Sequence, residues 1–594
     1  MHMKVSDYIF KFLKEHGVTQ AFMLPGGGAM HLDDSLGRSG INYTCFLHEQ
    51  AAGVAAEAYG QHTNTPGLVV VTSGPGATNA ITPVVAGFID STPMFIISGQ
   101  AKRPDLVGDR GVRQIGSQEV NTIGLVQHIT KYAVEIIEPE TIRYHMERAW
   151  ETAVGGRPGP VWISVPLDVQ AYDVDSDNMM GYHPVERPLP EITGTVKKTI
   201  ELLKTAKKPL FLAGNGIKLS GATEVMYEIL DTLKLPVQTT WKTIDMFDEE
   251  DPLYVGHPGI MGDRGANFII QECDLLISVG SRLDTSITAF NDRHFAKNAK
   301  RVIVDIDPFE LARMDMQKDA TSACDAGYFL NALKEEIDKN IDVLMGGDIP
   351  REREEWIKAC HACRAKYPVV TDAHRDASKP ISAYYVTDIL CNELTGDDII
   401  VPESSGGAGE ITYQAWRVKK GQKMKNAAGL GSMGFGLPYS IGACIANGGK
   451  RTILINGDGA FQMNIQELET IHQHNYPIKM FILRNEGYAS IRATQNKNFQ
   501  GFYVGSDEGS GLTIPDLTAV AKAYGIGASR VSKVSELEAA IRTALSAEGP
   551  YLLEIVTDTV EGCSPRVAAI AGPNGKMSSA PLEKMFPLID EESM

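Results

Sequence analysis

Short continuous apolar runs alternate with longer helix-favouring stretches along this 594-residue chain. Gly67–Thr72, Met94–Ser98 and Val161–Val165 are such runs near the start. Lys208–Ala213, Asp274–Val279 and Arg301–Ile306 follow, and then Asp398–Val401, Arg451–Asn456, Ile478–Leu483 and Tyr551–Val556. Runs this short, without polar alternation, predict strands buried on both faces of a parallel sheet covered by helices. The small residues Ala51–Tyr59 predict a helix. The polar stretch 173–190, with Pro184, Pro188 and Pro190, reads as a linker. The charged stretch Arg351–Arg364 predicts a solvated helix joining two domains. The expected division is 1–172, 191–345 and 378–560, with a polar tail over 561–594 carrying Pro565, Pro573 and Pro581. The fold class expected is α/β, with three doubly wound, mainly parallel-sheet domains. There is no short-period repeat or low-complexity tract.

Composition changes this picture little. Hydrophobic content of 43% and charged content of 22% are those of a globular protein, and the length exceeds what one core serves. The net charge of −18 argues against a nucleic-acid or anionic-membrane partner, because both need clustered Lys and Arg. A small anionic ligand at a locally positive site is compatible with it. No apolar run reaches the ~18 residues a membrane span requires. The N-terminus lacks a basic region followed by an apolar one, so a cytoplasmic location is expected. The eight cysteines are scattered. Cys360 and Cys363 form the one close pair and have no second pair to complete a zinc site. Reduced thiols, mostly in helices, are expected.

Candidate chemistry concentrates in Gly457–Gly487. Asp458 follows one predicted strand and Asn485 the next, with room between them for a crossover helix, Ile465–His474. In an open parallel sheet, ligands bind beyond the carboxyl ends of the strands, so these two side chains converge at one sheet edge. Gly457 and Gly459 allow a sharp turn and close approach to a ligand. A carboxylate, an amide oxygen and backbone carbonyls are hard donors that suit Mg²⁺ held against a diphosphate. Gly-Asp-Gly alone more often describes a turn whose Asp caps a helix; the distant Asn in register favours the metal site. No Gly-rich phosphate loop of the P-loop type is present, and Gly214-Asn215-Gly216 lacks the third glycine of a dinucleotide fingerprint.

These residues resemble the diphosphate signature of thiamine-diphosphate enzymes. His48-Glu49-Gln50, Thr72–Asn79, Arg157–Pro160 and Gly429–Gly436 are similar to acetolactate synthase and its relatives, in that family's order of pyrimidine-binding, middle and diphosphate-binding domains. The resemblance implies Mg²⁺ held by Asp458, Asn485 and the carbonyl of Gly487, with Gly457, Gly459, Ala460 and Tyr488 also on the cofactor. It implies that Glu49, the catalytic residue, hydrogen-bonds the aminopyrimidine from the neighbouring subunit and helps activate the thiazolium, which then serves as electron sink for decarboxylation of an oxo acid. Gly26, Thr72, Pro75 and Asn79 would accompany Glu49. Gly431 and Met433 would hold the other side of the aminopyrimidine, Met433 bending the cofactor. Glu49 follows the run Tyr43–Leu47 and precedes a small-residue helix, a partly buried setting suited to proton sharing; a helix N-terminal carboxylate favoured by the dipole is the alternative. Because Glu49 and Asp458 lie in different domains, a homodimer is the expected minimum, and a homotetramer is compatible.

In the middle domain, His257–Gly262, Gly280–Asp284, Asp305–Asp307 and Cys324-Asp325 resemble FAD-binding positions. Gly214, Arg282, Asp284, Asp305, Ile306, Cys324 and Asp325 would hold FAD, with Arg282 facing its diphosphate. A vestigial fold, or one taking another adenine nucleotide, is the alternative. The sequence departs from the family in the substrate pocket, where Gly27, Ser117, Gln118 and Thr494 are expected. Thr494 stands where acetolactate synthases carry a Trp, and Ser117 where they carry a Phe. Glu403–Glu410 differs from the usual Gly-Gln-His motif. Two small hydroxyls in place of aromatics leave a roomier, more polar pocket. The segment Tyr488–Gly511 is similar to acetolactate-synthase-like enzymes of branched-sugar (yersiniose-type) synthesis. The expected reaction is therefore decarboxylation of pyruvate and transfer of the acetyl unit to a carbonyl acceptor, a nucleotide-linked (CDP-linked) keto-sugar. The alternatives are acetolactate synthesis from two pyruvates, a decarboxylase or C–C lyase of the same family, and a non-enzymatic homologue, which Glu49, Asp458 and Asn485 together disfavour.

Overall fold

A computed structural model describes residues 2–184, 188–571 and 577–589. Every apolar run named above is a strand, within a residue or two at its ends, and the strands form three parallel sheets. The first, six-stranded, contains β1 (Gln20–Met23), β2 (Asn42–Cys45), β3 (Gly67–Val71), β4 (Met94–Gln100), β5 (Tyr132–Glu135) and β6 (Pro160–Pro166), in the order β2-β1-β3-β4-β6-β5. The middle, five-stranded, contains β7 (Pro209–Ala213), β8 (Val237–Thr239), β9 (Leu275–Val279), β10 (Lys300–Asp305) and β11 (Ala320–Ala323), in the order β8-β7-β9-β10-β11. The third, six-stranded, contains β12 (Ile399–Pro402), β13 (Lys423–Met424), β14 (Thr452–Gly457), β15 (Ile478–Arg484), β16 (Gly527–Val531) and β17 (Tyr551–Val556), in the order β13-β12-β14-β15-β17-β16. The first and third sheets thus share one strand order, and all three reverse direction at the same place, between their first and third strands. Such a switch point opens a crevice at the carboxyl ends of the strands.

One core joins the first and third units. Helix Glu49–Thr63, seeded with alanines, packs against helix Gly436–Ala446, and side chains from both sheets meet around them. The alanine content that predicts helix also lets two backbones approach closely. Among the described residues, no helix is long and apolar enough to cross a membrane.

Four expectations are corrected. The stretch Arg351–Arg364 does form a helix, Ile349–Lys366, but a solvated one it is not: it packs on helix Arg264–Glu272 and buries Arg353, Trp356 and Cys360. Trp356 Nε1 donates to the carbonyl of Pro209 (3.0 Å), and Arg353 donates to that of Leu233. The charges disguise a buried stripe carried by one Trp and the apolar part of an Arg. The tail is docked: Val567, Ala580, Leu582 and Met585 enter the middle unit's core, burial worth about 1.5–3 kcal/mol for each large apolar side chain; Pro573 lies outside the described residues. The linker's first residues, Asp173–Asp175, pair antiparallel with His2–Lys4. Of the eight cysteines, Cys360, Cys363, Cys391 and Cys444 are helical and Cys45, Cys273, Cys324 and Cys563 are not, so helices hold half rather than most; all are free thiols.

Candidate active site

The carboxyl end of β14 carries Asp458, fully buried. Its Oδ1 accepts from the N–H of Gly459 (2.8 Å) and its Oδ2 from that of Glu486 (2.8 Å), with Gly487 N–H at 3.3 Å from Oδ2. The turn after β15 is thereby tied to the turn after β14, which brings Asn485 to Asp458. Burial pushes the Asp458 carboxyl up to about 6 against these three N–H donors. Asn485 Oδ1 is buried and has no hydrogen-bond partner. A buried carboxylate beside an orphaned amide oxygen is what a divalent cation would satisfy, so these residues fit the metal. Gly459 must lack a side chain, since a Cβ there would lie 2.6 Å from the ring of Tyr488. Gly457 and Ala460 complete the turn.

Of two further residues here, Arg492 carries no signal that the sequence pattern singles out and Glu403 only a weak one. Arg492, on helix Ala489–Phe499 and 5% exposed, donates to the carbonyls of Asn485 (2.6 Å), Glu486 (3.1 Å), Ser506 (2.7 Å) and Thr559 (3.0 Å). It clamps the turn that presents Asn485. No local pattern marks an arginine whose partners are all backbone carbonyls. Glu403, fully buried at the carboxyl end of β12, accepts from the N–H groups of Ser404 (2.8 Å) and Gly436 (3.1 Å), and burial raises it to about 7. For Glu403 a weak hint exists: it ends an apolar run as Asp458 does. The loop between β13 and helix Gly436–Ala446 holds Gly431, in a left-handed conformation (φ 64°), and Met433, which is 37% exposed.

In the first unit, Glu49 opens helix Glu49–Thr63 and is nearly buried, with Oε2 accepting from Asn79 Nδ2 at 2.9 Å. His48 caps the helix through Nδ1, which accepts from Gln50 N–H (3.0 Å). Thr72 Oγ1 accepts from Gly28 N–H (3.0 Å), Pro75 starts helix Pro75–Asn79, and Gly26 donates to Asp33 (3.2 Å). The loops after β1 and β3, the switch point of the first sheet, thus gather Gly26, Thr72, Pro75 and Asn79 around Glu49. Gln118 lays its backbone against Gly74, and Ser117 and Gln118 are exposed, as is Thr494, whose Oγ1 donates to Ser490 O (3.1 Å). Among the described residues, no hydrogen bond joins the Glu49 cluster to Asp458, or Thr494 to Ser117 or Gln118.

The middle sheet's switch point opens a cavity of about 490 Å³ lined by Asn215, Gly216, Arg282, Asp284, Asp305, Ile306, Cys324 and Asp325. Gly214 N–H donates to Val279 O and Gly216 N–H to Gly280 O, both at 2.9 Å, which draws the ends of β7 and β9 together. Arg157, Lys242 and Arg282 line its wall, each beside a carboxylate: Arg157 with Asp307 and Glu310, Lys242 with Asp90, and Arg282 with Asp284. Asp305 is buried and its carboxyl is raised by that burial. Asp284 and Asp325 already cap helices, accepting from Ser286 N–H (2.9 Å) and Gly327 N–H (2.8 Å). Ala428 and Gly429, next to the Gly431 loop, close one end.

Three family models match in the order the sheets run: the thiamine pyrophosphate enzyme N-terminal TPP binding domain over residues 3–125, the central domain over 196–333 and the C-terminal TPP binding domain over 405–555. The chain belongs to the thiamine pyrophosphate-dependent enzymes. Within that family its relatives include the acetolactate synthase isozyme 2 large subunit of Escherichia coli (strain K12), 31% identical over 98% of this chain and 100% of that protein. The probable acetolactate synthase large subunit of Methanocaldococcus jannaschii is 32% identical over 94% of this chain and 93% of its own. Acetolactate synthase 2, chloroplastic, of Zea mays is 31% identical over 95% and 87%.

Proposed function

We propose that this enzyme decarboxylates pyruvate and joins the two-carbon unit to a carbonyl acceptor, as an acetolactate-synthase-type carboligase. The single observation behind the reading is the pairing of buried Asp458 with the orphaned Asn485 oxygen, in a chain whose Glu49 is held by Asn79 at the start of a helix. When bound, thiamine diphosphate supplies a carbon nucleophile and an electron sink. Asp458, Asn485 and the Gly487 carbonyl would hold Mg²⁺ against its diphosphate. Glu49 would hold a proton at the aminopyrimidine, its carboxylate kept in place by the Asn79 amide. Arg492 keeps the Asn485 turn in register. Gly431 and Met433 would support the ring from the third unit. Because Glu49 and Asp458 belong to different units and no hydrogen bond joins their clusters among the described residues, a homodimer that faces one against the other suits the reading.

The relatives' names favour a second oxo acid as acceptor, so acetolactate is the first product to seek. A second reading, transfer to a nucleotide-linked keto-sugar, is favoured by Thr494 and Ser117, both small, hydroxylated and exposed. FAD in the middle cavity is supported by the Arg282 guanidinium at its wall and by the buried Asp305. The test is product analysis with pyruvate, thiamine diphosphate and Mg²⁺, with and without a CDP-linked keto-sugar. Acetolactate formed at rates the sugar does not change supports the first reading; diversion of the acetyl unit onto the sugar supports the second. Absence of carbon dioxide release from pyruvate would defeat both. A yellow protein releasing FAD on denaturation checks the flavin.

A further inference from the structure

A second cavity, about 940 Å³, opens where all three units meet, and nothing in the mechanism above uses it. Its volume is at the upper end of small-molecule sites (roughly 300–1,000 Å³). Each unit contributes a basic side chain to its wall: His62 from the first, Lys218 from the middle, and Lys423 and Lys425 from the third.

The hydrogen bonds leave one of these groups without an acceptor. Lys423 Nζ, which can only donate, lies 2.8 Å from Asn447 Oδ1, and this fixes the orientation of that amide. The Asn447 NH₂ therefore faces His62 Nδ1, at 3.2 Å. His62 Nδ1 accepts, and the ring proton is on Nε2, a buried atom with no partner. Lys425 is 6% exposed and takes part in no ion pair with a carboxylate among the described residues. The one acid at this end, Asp245, is already engaged by Lys218 and by the N–H of Met424 (3.2 Å). Burial and the neighbouring Lys218 press the Lys425 amine down to about 7. A buried donor without an acceptor costs about 1–3 kcal/mol, so His62 Nε2–H, in a cavity that Lys425 also lines, calls for an anion at this end.

We infer that this three-way cleft binds a small phosphate monoester, its phosphoryl oxygens accepting from Lys425 Nζ and His62 Nε2–H beside Lys218. Donors converging from three directions match the several oxygens of a phosphate better than the two of a carboxylate. Beyond the basic end, Leu219, Tyr227 and Phe247 offer an apolar wall. Glu224, Glu228, Asp231, Asp248 and Asp251 also line the cavity and repel a second anionic group, so the ligand carries a single anionic group.

Calorimetric titration of the full chain, saturated with thiamine diphosphate, Mg²⁺ and FAD so that other phosphate sites are filled, tests this. The probes are ribose 5-phosphate, inorganic phosphate, ribose and acetate. Ribose 5-phosphate should bind, with inorganic phosphate weaker and ribose and acetate silent. Lys425→Met and His62→Phe should each weaken ribose 5-phosphate at least tenfold, and Lys425→Arg should retain it. Should Lys425→Met fail to fold, the His62→Phe titration decides by itself. No binding by the wild-type chain, equal affinity in a folded Lys425→Met or His62→Phe, or acetate binding as tightly as phosphate each overturns the inference.

Discussion

Glu49 and Glu403 are both buried carboxyls at the edges of parallel sheets, and their surroundings set different tasks for them. Glu49 has one amide partner, Asn79, and an oxygen free to meet a ligand. Replacing it with Gln keeps the volume and removes the proton-holding group. Glu49→Gln should slow pyruvate decarboxylation by about 10²–10⁴-fold, the usual worth of a positioned acid–base group, with circular dichroism and thiamine diphosphate affinity little changed. Turnover near the wild-type rate would remove Glu49 from the chemistry. Glu403 is held by two backbone N–H groups yet raised to about 7 by burial, from an ordinary 4.5. A carboxyl raised on folding binds its proton more tightly in the native state. Its contribution to stability is complete below pH 4.5 and is lost as the pH rises through about 7. Chemical denaturation of the cofactor-free chain at pH 5 and pH 8 should show that loss, and Glu403→Gln should flatten it. An unchanged pH slope in the variant would refute the assignment.

At the scale of elements, the contact of helix Glu49–Thr63 with helix Gly436–Ala446 fixes how the first and third units sit. A Cβ on Gly442 would lie 2.1 Å from the backbone oxygen of Ala55. No side chain can yield there, so the helices must part. Gly442→Ala should cost about 1–3 kcal/mol, as overpacking does, read from the denaturation midpoint at constant slope. A neutral result would show the crossing to be slack. Helix Glu49–Thr63 is legible in sequence from its alanines. Helix Ile349–Lys366 reads as solvated from its charges, because its buried stripe is built from Arg353, Trp356 and Cys360. Charge counted along a sequence does not reveal which side of a helix a neighbour covers.

For the whole molecule, the proposed metal and diphosphate site would link folding to ligand. Thiamine diphosphate with Mg²⁺ should raise the melting temperature, by an amount that corresponds to about 2.7 kcal/mol at a hundredfold excess over Kd. Chelation should abolish the gain, as should Asp458→Ala, which deletes the buried carboxylate. A gain that survives either change would place the cation elsewhere.

The strands were readable because a strand buried on both faces must be apolar throughout, a constraint each run carries locally. So was the meeting of Asp458 with Asn485, because one crossover between adjacent parallel strands leaves few alternatives. Glu49 with Asp458 and Asn485 came from motif spacing and resemblance. Tertiary structure alone decided the rest: the shared strand order of the first and third sheets, the docking of the C-terminal segment onto the middle core, the carbonyl clamp of Arg492, and the meeting of His62, Lys218 and Lys425 in one cleft. Those groups are distant in sequence, and only packing, which is non-local, assigns them neighbours.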